Sequence, residues 1–193
     1  MKVIAHDRRL EGQVRTSGDV GVIEVSERTT LSYFTNRFST LYEANGRAVI
    51  TKLKIMAHGI VANDDGIRRG GYGISFCREN IILDTVEQLR PLRGKVDKIA
   101  LLVCAAAATS PDVMTEDGLL DGHGQELCSR IARITHAELV ASTVRQEYAI
   151  GIVVGEHTVH DSPIEFGEWE GAVLHFDRQG NLTRTTMRVE GEN

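Results

Sequence analysis

Short apolar runs alternate with amphipathic stretches along most of this chain, and the alternation predicts both strands and helices. Helical spacing of apolar side chains predicts a helix from Thr29 or Thr30, which can cap it, to about Asn45. The same period predicts helices over residues 84–92 and 125–135. Apolar or alternating runs predict strands over residues 21–25, 48–57, 72–77, 80–83, 98–103, 138–142, 150–154, 171–176 and 182–189.

The order of these elements predicts the fold class. Alternating strands and helices favour a central, mostly parallel sheet with helices on both faces, and the last two strands predict an antiparallel C-terminal hairpin. We therefore expect an α/β protein, a three-layer αβα sandwich formed by one domain over residues 1–193. Its core is predicted in about 20–145 and its C-terminal strands in 150–190. Residues 1–18 are mixed and polar, which predicts a strand and a loop over the sheet edge.

Composition narrows the possible partners. The 193 residues carry a formal charge of −5, which argues against nucleic acid as the main partner, and the pair Arg68 and Arg69 is interpreted as a solvated loop. No segment approaches the ~20 apolar residues that a membrane span needs. The apolar stretch at the N-terminus is too short for a signal peptide. We therefore expect a cytoplasmic protein with no membrane partner.

The cysteine pattern predicts free thiols, one of which is a candidate for reactivity. Cys77, Cys104 and Cys128 are odd in number and widely spaced, which fits neither a disulfide framework nor a zinc site. We expect free thiols, with Cys77 and Cys128 in or near the core.

His157 and His160 lack a third ligand and are interpreted as surface residues, so we expect no metal and no cofactor.

Two strand ends carry the candidate chemistry. Cys104 directly follows the apolar run 98–103, and His58 follows the run 53–57. If both strands are parallel members of one sheet, the imidazole and the thiol emerge side by side at its carboxyl edge, where open α/β sheets place their ligand sites. A thiol beside an imidazole is the minimum apparatus for nucleophilic catalysis. The alternatives are a buried structural cysteine and a hydrogen-bonded histidine at a strand end.

Small residues accompany both candidates. Gly59 follows His58, which removes an obstructing side chain and leaves a backbone N–H able to point into a cleft. Ala105 to Ala108 follow Cys104 and leave room for a substrate to approach the backbone. Donors of this kind can stabilise a developing oxyanion.

These segments resemble a family of cysteine peptidases, the caspase–hemoglobinase type (clan CD), which includes caspases, gingipains, clostripain, separase and the bacterial CHAT domains. The matching segments lie within residues 50–145, and His58 stands 46 residues before Cys104, close to the ~50 that caspases show. The closer likeness is to the CHAT-like members. The matching segments are residues 55–59 (Ile-Met-Ala-His-Gly), 71–75 (Gly-Tyr-Gly-Ile-Ser), 99–106 (Ile-Ala-Leu-Leu-Val-Cys-Ala-Ala), 124–132 (Gly-Gln-Glu-Leu-Cys-Ser-Arg-Ile-Ala) and 137–142 (Ala-Glu-Leu-Val-Ala-Ser).

The resemblance implies a caspase-like fold and a peptidase that acts on a protein or peptide substrate, with a regulatory protein partner in many members. Cys104 would attack a peptide carbonyl, His58 would act as its acid and base, and the N–H groups of Gly59 and Cys104 would hold the oxyanion. The caspase signature Gln-Ala-Cys-x-Gly is absent, because Leu102 and Val103 precede the cysteine and alanines follow it. Cleavage after aspartate is therefore not implied.

Two other functions stay open. One is a catalytically inactive relative that binds a partner protein, and the other is a Cys–His hydrolase or acyltransferase that acts on a small molecule. His123, in a glycine-containing loop, could reach the same cleft, although an exposed loop position is the simpler interpretation. Asp64, Asp65 and Asp112 could line a pocket for a basic side chain. The glycines of residues 70–73 precede a strand rather than a helix, so a phosphate loop is not predicted.

Overall fold

The computed structural model describes residues 1–14, 16, 18–64, 66–110, 113–115, 118–120, 122–150 and 164–187. Within them lie two α-helices, α1 (Leu31–Ala44) and α2 (Gly124–Thr135), and one 3₁₀ helix (Val86–Leu92). The strands described are, in chain order, β1 (Lys2–Asp7), β2 (Val20–Val25), β3 (Ile50–Met56), β4 (His58–Gly59), β5 (Ala62–Asp64), β6 (Ile67–Arg69), β7 (Ile74–Ser75), β8 (Val96–Leu102), β9 (Val113–Thr115), β10 (Gly118–Leu120), β11 (Glu138–Ser142), β12 (Tyr148–Ile150), β13 (Ile164–Phe166), β14 (Val173–Phe176) and β15 (Leu182–Thr186).

A seven-stranded sheet forms the centre of the described structure, in the order β15-β14-β11-β8-β3-β1-β2. Strands β2, β1, β3, β8 and β11 are parallel, whereas β14 and β15 continue the sheet as an antiparallel hairpin. The α/β class, the mostly parallel sheet and the antiparallel C-terminal hairpin are therefore confirmed. Residues 151–154 and 188–189 of the predicted strands lie outside the described residues.

The N-terminal segment takes a more central place than predicted. Strand β1 is inserted between β2 and β3 and pairs with both in parallel, so it is not a cover over the sheet edge. The polar residues that obscured this strand are buried and hydrogen-bonded: His6 bonds the Leu10 carbonyl at 2.8 Å, and Asp7 binds Arg9. Nearby partners satisfy Asp7 and the Nε2 of His6, whereas the buried Nδ1 of His6 has no hydrogen-bond partner in the described structure.

The helices cover one face of the sheet. Thr30 caps α1 by accepting the Tyr33 amide at 3.1 Å, and the helix ends before Gly46, whose φ is 67°. The 3₁₀ helix lies between α1 and α2 and contacts both. Residues from all three join one buried apolar cluster with alternate residues of the strands, among them Leu31, Phe34, Phe38, Leu53, Ile55, Leu89, Ile99, Leu127, Ile131 and Leu139.

The opposite face departs from the predicted three-layer sandwich. Its apolar cluster contains Met56, Leu102, Val140 and Trp169, with Tyr148 and Phe166 packed against it. No helix in the described ranges lies on this face, so the second helical layer is not observed there. Periodicity reports whether a segment is amphipathic but not which face of a sheet it covers, which is why the prediction went too far.

Two predicted elements are shorter or tighter than expected. The segment 84–92 forms a 3₁₀ helix from Val86 and contains Pro91, which cannot donate a backbone hydrogen bond. The strand predicted over 72–77 is reduced to β7, and the predicted hairpin with 80–83 is a single bridge between Ile74 and Ile81.

None of the helices in the described part of the chain has the length and apolar character to span a bilayer.

Candidate functional site

Four neighbouring parallel strands bring distant residues to one edge of the sheet. Their order, β11-β8-β3-β1, places the segments that follow them next to each other. Gln146 comes after β11, Cys104 after β8, His58 after β3 and Arg9 after β1. A cleft of about 890 Å³ lies at this edge, and His58, Cys104 and Gln146 all line it. This is the edge at which open α/β sheets bind their ligands.

Cys104 lies on a tight turn that follows β8. The next residue, Ala105, has a φ of 50°, a left-handed conformation that a non-glycine residue seldom adopts. Its N–H donates to the Val144 carbonyl at 2.7 Å, which fixes the turn against the segment after β11. The turn leaves the Cys104 side chain partly exposed at the cleft.

Two main-chain groups of Gln146 contact the sulfur of Cys104. The Gln146 N–H donates to Sγ at 3.4 Å, and the thiol donates to the Gln146 carbonyl at 3.3 Å. Nearby, the buried hydroxyl of Tyr148 donates to the Leu102 carbonyl, and its burial together with the nearby Cys104 raises the pKa of Tyr148 above its usual range. The thiol is therefore held by the segment 143–148 as well as by its own strand.

His58 is exposed on the same cleft and held in one orientation. It lies on β4, which pairs with β7, and its Nε2 bonds the Arg9 carbonyl at 3.0 Å. Because a carbonyl only accepts, Nε2 carries the proton and Nδ1 keeps the lone pair of the neutral ring. No hydrogen bond joins His58 to Cys104 among the residues that the structure describes.

A buried ion pair supports the residue that orients His58. Asp7 is fully buried and accepts Arg9 Nε at 2.8 Å and Arg9 Nη2 at 2.7 Å. The same carboxylate accepts the Cys77 N–H at 2.9 Å, while Arg9 also donates to the Cys77 carbonyl. Arg9 is thus fixed at both ends, and its carbonyl offers the imidazole a stationary acceptor.

Gly59 and Gly70 allow the backbone to approach the cysteine turn. A Cβ at residue 59 would overlap the Cys104 carbonyl oxygen and lie 3.5 Å from the Cys104 Cβ. A Cβ at residue 70 would overlap that of Ala105. The His-Gly pair predicted from the sequence therefore touches the predicted cysteine, and glycine is required there by close approach.

Some backbone N–H groups near the cleft already donate hydrogen bonds within the protein, which limits the choice of oxyanion donors. The Ile60 N–H donates to the Gly73 carbonyl, so in the antiparallel β4–β7 ladder the preceding N–H, that of Gly59, lies on the side facing away from β7. The Ala105 N–H is occupied by Val144 and is not available. Gly59 and Cys104 stay the predicted donors.

The other two thiols lie in different surroundings. Burial and the nearby Asp7 carboxylate raise the pKa of the Cys77 thiol to about 12. Complete burial raises the pKa of Cys128 well above its usual range. Both residues belong to the helix-side core, as expected, and all three described cysteines are reduced. Cys104 is thus the accessible thiol of the three.

Charged residues around the cleft were not identified from the sequence. Arg68 and Arg69 lie on β6 and line the cleft together with Arg145 and Glu147, so they are not only a solvated loop. The suggested acidic pocket stays a prediction, because the side chains of Asp64, Asp65 and Asp112 are not among those that the structure describes. His157 and His160 also lie outside the described residues.

His123 does not join the cleft. It occupies the position before α2, is exposed, and pairs through its backbone with Thr109. The described residues hold no group of three or more His, Cys, Asp or Glu placed to bind a metal ion.

Sequence reasoning missed Arg9, Gln146 and Tyr148. Arg9 is one of several arginines, and Gln146 and Tyr148 contact Cys104 and Leu102, each more than 40 positions away in the sequence. The chain itself has no match among models of known protein families, curated proteins or solved structures.

Proposed function

We propose that this chain is a caspase/CHAT-like cysteine endopeptidase that uses His58 and Cys104 to cleave a peptide bond. One observation carries the proposal: the oriented imidazole and the partly exposed thiol line one cleft at the carboxyl ends of adjacent parallel strands. The finer likeness to the caspase-type fold, a single domain and a cytoplasmic location belong to the same proposal.

The reaction would follow the protonation states that the contacts favour. His58 Nδ1 takes the proton of Cys104, and the thiolate attacks the peptide carbonyl carbon. The resulting oxyanion accepts hydrogen bonds from the Gly59 and Cys104 N–H groups. Collapse of the tetrahedral intermediate breaks the C–N bond, and His58 gives its proton to the leaving amine. Water, deprotonated by His58, then hydrolyses the thioester and restores the thiol.

The separate contacts of the two side chains are compatible with this role. His58 bonds Arg9, and Cys104 bonds Gln146. Catalytic hydrogen bonds are often long or poorly aligned without substrate and tighten only in the Michaelis complex. Substrate binding is expected to bring His58 and Cys104 within hydrogen-bond distance of each other.

The lining of the cleft suits a polypeptide better than a small uniform ligand. Three exposed apolar side chains, Val61, Ile67 and Val144, lie beside charged and neutral polar groups. A peptide offers both kinds of side chain along one backbone. The substrate class is therefore protein or peptide, and no metal or cofactor takes part in the proposed steps.

The test compares matched cysteine variants on a library of internally quenched peptides and on unfolded casein. We expect Cys104→Ala and His58→Ala each to reduce turnover by at least about 10³-fold while leaving circular dichroism unchanged. Cys128→Ala, a small change at a buried thiol outside the cleft, should keep full turnover. Cleavage that survives Cys104→Ala would refute the proposal.

A second candidate is a catalytically inactive domain that binds a partner protein in the same cleft. The observation that favours it is that both side chains already have main-chain partners, while apolar residues at the cleft are exposed. A small electrophilic acylating probe separates the two. Acylation of Cys104 that falls in His58→Ala indicates a peptidase, and acylation independent of His58 indicates a binding module.

A further inference from the structure

The segment after β11 contacts the sulfur of Cys104 through the main chain of one residue. Gln146 donates its N–H to Sγ at 3.4 Å and receives the thiol proton on its carbonyl at 3.3 Å. Its side chain takes no part in either contact. The position of these two peptide groups therefore depends on how residue 146 is held.

The side-chain amide of Gln146 holds the residue in place. It is almost completely buried, at 3% exposure. Nε2 donates to Ser142 Oγ at 2.8 Å and to the Glu170 carbonyl at 3.1 Å, and Oε1 accepts the Glu170 N–H at 3.0 Å. Nε2 also contacts the carbonyls of Val144 and Arg145 within its own loop. Bonds to both flanking segments fix the loop over the cysteine.

We propose that Gln146 is a positioning residue for Cys104, because its buried amide keeps its main-chain N–H on the sulfur. A thiol is a weak donor, so its hydrogen bond to the Gln146 carbonyl stabilises the protonated form of Cys104 only slightly. A hydrogen bond from N–H to sulfur becomes charge-assisted when the thiol ionises. The fixed N–H thus favours the thiolate, which is the nucleophilic form. This inference rests on the proposed function, since it concerns the same thiol.

Other charged or titratable groups line the same cleft. Among the described residues they are His58, Arg68, Arg69, Arg145, Glu147 and Tyr148. A substitution of Gln146 removes none of the six, but Arg145, Glu147 and Tyr148 belong to the same segment as Gln146. The difference between variants at residue 146 therefore measures the contribution of the whole positioned segment.

The test measures the rate of Cys104 alkylation by iodoacetamide from pH 6 to pH 10, by mass spectrometry of the labelled peptides. In Gln146→Ala we expect the rate to fall about tenfold at pH 6, the effect of one lost hydrogen bond to a charged group. The difference in alkylation rate between Gln146→Ala and the unmodified protein should disappear towards pH 10, where ionisation of the thiol no longer limits the rate. Gln88→Ala, at an exposed position on the 3₁₀ helix, should match the unmodified protein at every pH.

A second variant guards against loss of folding. Ser142→Ala removes one acceptor of the Gln146 amide and should give the same pH pattern with a smaller deficit, about threefold at pH 6. Cys77, labelled in the same sample, reports any general opening of the core. Faster alkylation in either variant, or a deficit independent of pH, would overturn the inference. Because alkylation needs no peptide, it can fail while turnover still depends on Cys104, and the two proposals fail separately.

Discussion

The turns at Cys77 and Cys104 have similar backbone conformations, but their side chains lie in different surroundings. Each follows a strand, β7 or β8, and each places a non-glycine residue in the left-handed region, with φ of 57° at Cys77 and 50° at Ala105. At Cys77, the buried Asp7–Arg9 pair binds the main chain, and the side chain fills the core. At Cys104, the neighbouring loop binds the sulfur itself.

The difference shows that a cysteine at a strand end is not by itself a candidate nucleophile. What separates the two residues is which atoms the surrounding groups contact and whether the sulfur meets solvent. At Cys77 burial and, after it, the nearby Asp7 carboxylate oppose ionisation of the thiol. The described lining of the cleft at Cys104 contains three arginines and one glutamate.

The largest expected contrast is in thiol reactivity. At pH 8, iodoacetamide should label Cys104 at least about 10³-fold faster than Cys77, because a pKa raised from 9.0 to about 12 leaves roughly a thousandth of the usual thiolate. Cys128 should be as slow, since it is completely buried. Mass spectrometry of the alkylated peptides measures all three rates. In guanidinium chloride the rates should converge, and equal rates in the folded protein would abolish the contrast.

The next effect concerns the stability of the Cys77 turn. Asp7→Asn leaves the Arg9 guanidinium without its carboxylate and should lower the free energy of unfolding by about 2–3 kcal/mol. Urea denaturation followed by circular dichroism gives the value.

The matched control is Asp19→Asn, which alters the ion pair between the exposed Asp19 carboxylate, just before β2, and the N-terminal amine of Met1, just before β1. We expect a change of no more than about 0.5 kcal/mol there. Equal effects at Asp7 and Asp19 would show that the buried pair does not stabilise this turn.

The smallest expected effect tests the close approach at the Cys104 turn. Gly59→Ala forces a Cβ against the Cys104 carbonyl and should cost about 1–2 kcal/mol of stability. It should also slow Cys104 alkylation, because the turn must shift. Gly167→Ala, where an added Cβ meets nothing within 4 Å, should change stability by less than about 0.5 kcal/mol. Unchanged alkylation in Gly59→Ala would contradict the observed contact.

Local signals in the sequence predicted helix α1, helix α2 and most strands of the sheet. The Thr30 cap and the apolar stripe of α1 are properties of neighbouring residues, so they can be read without the fold. Strand β1 was placed wrongly because its partners lie in other segments and because His6 and Asp7 interrupt its apolar pattern. The meeting of His58, Gly59 and Cys104 at one cleft was predicted, because the carboxyl ends of parallel strands meet at one edge, and their catalytic roles stay a prediction.

Local sequence patterns were enough to predict the α/β class, the antiparallel ending and the strand-end positions of the imidazole and the thiol. The folded structure was needed to show that the described helices share one face, that the Arg9 carbonyl orients His58, and that Gln146 contacts the sulfur of Cys104. The difference lies in the sequence distance over which each interaction acts. Periodicity and capping act over a few residues, whereas the contacts of His58 and Cys104 each join a side chain to a main-chain carbonyl 49 or 42 positions away, which chain folding alone brings together.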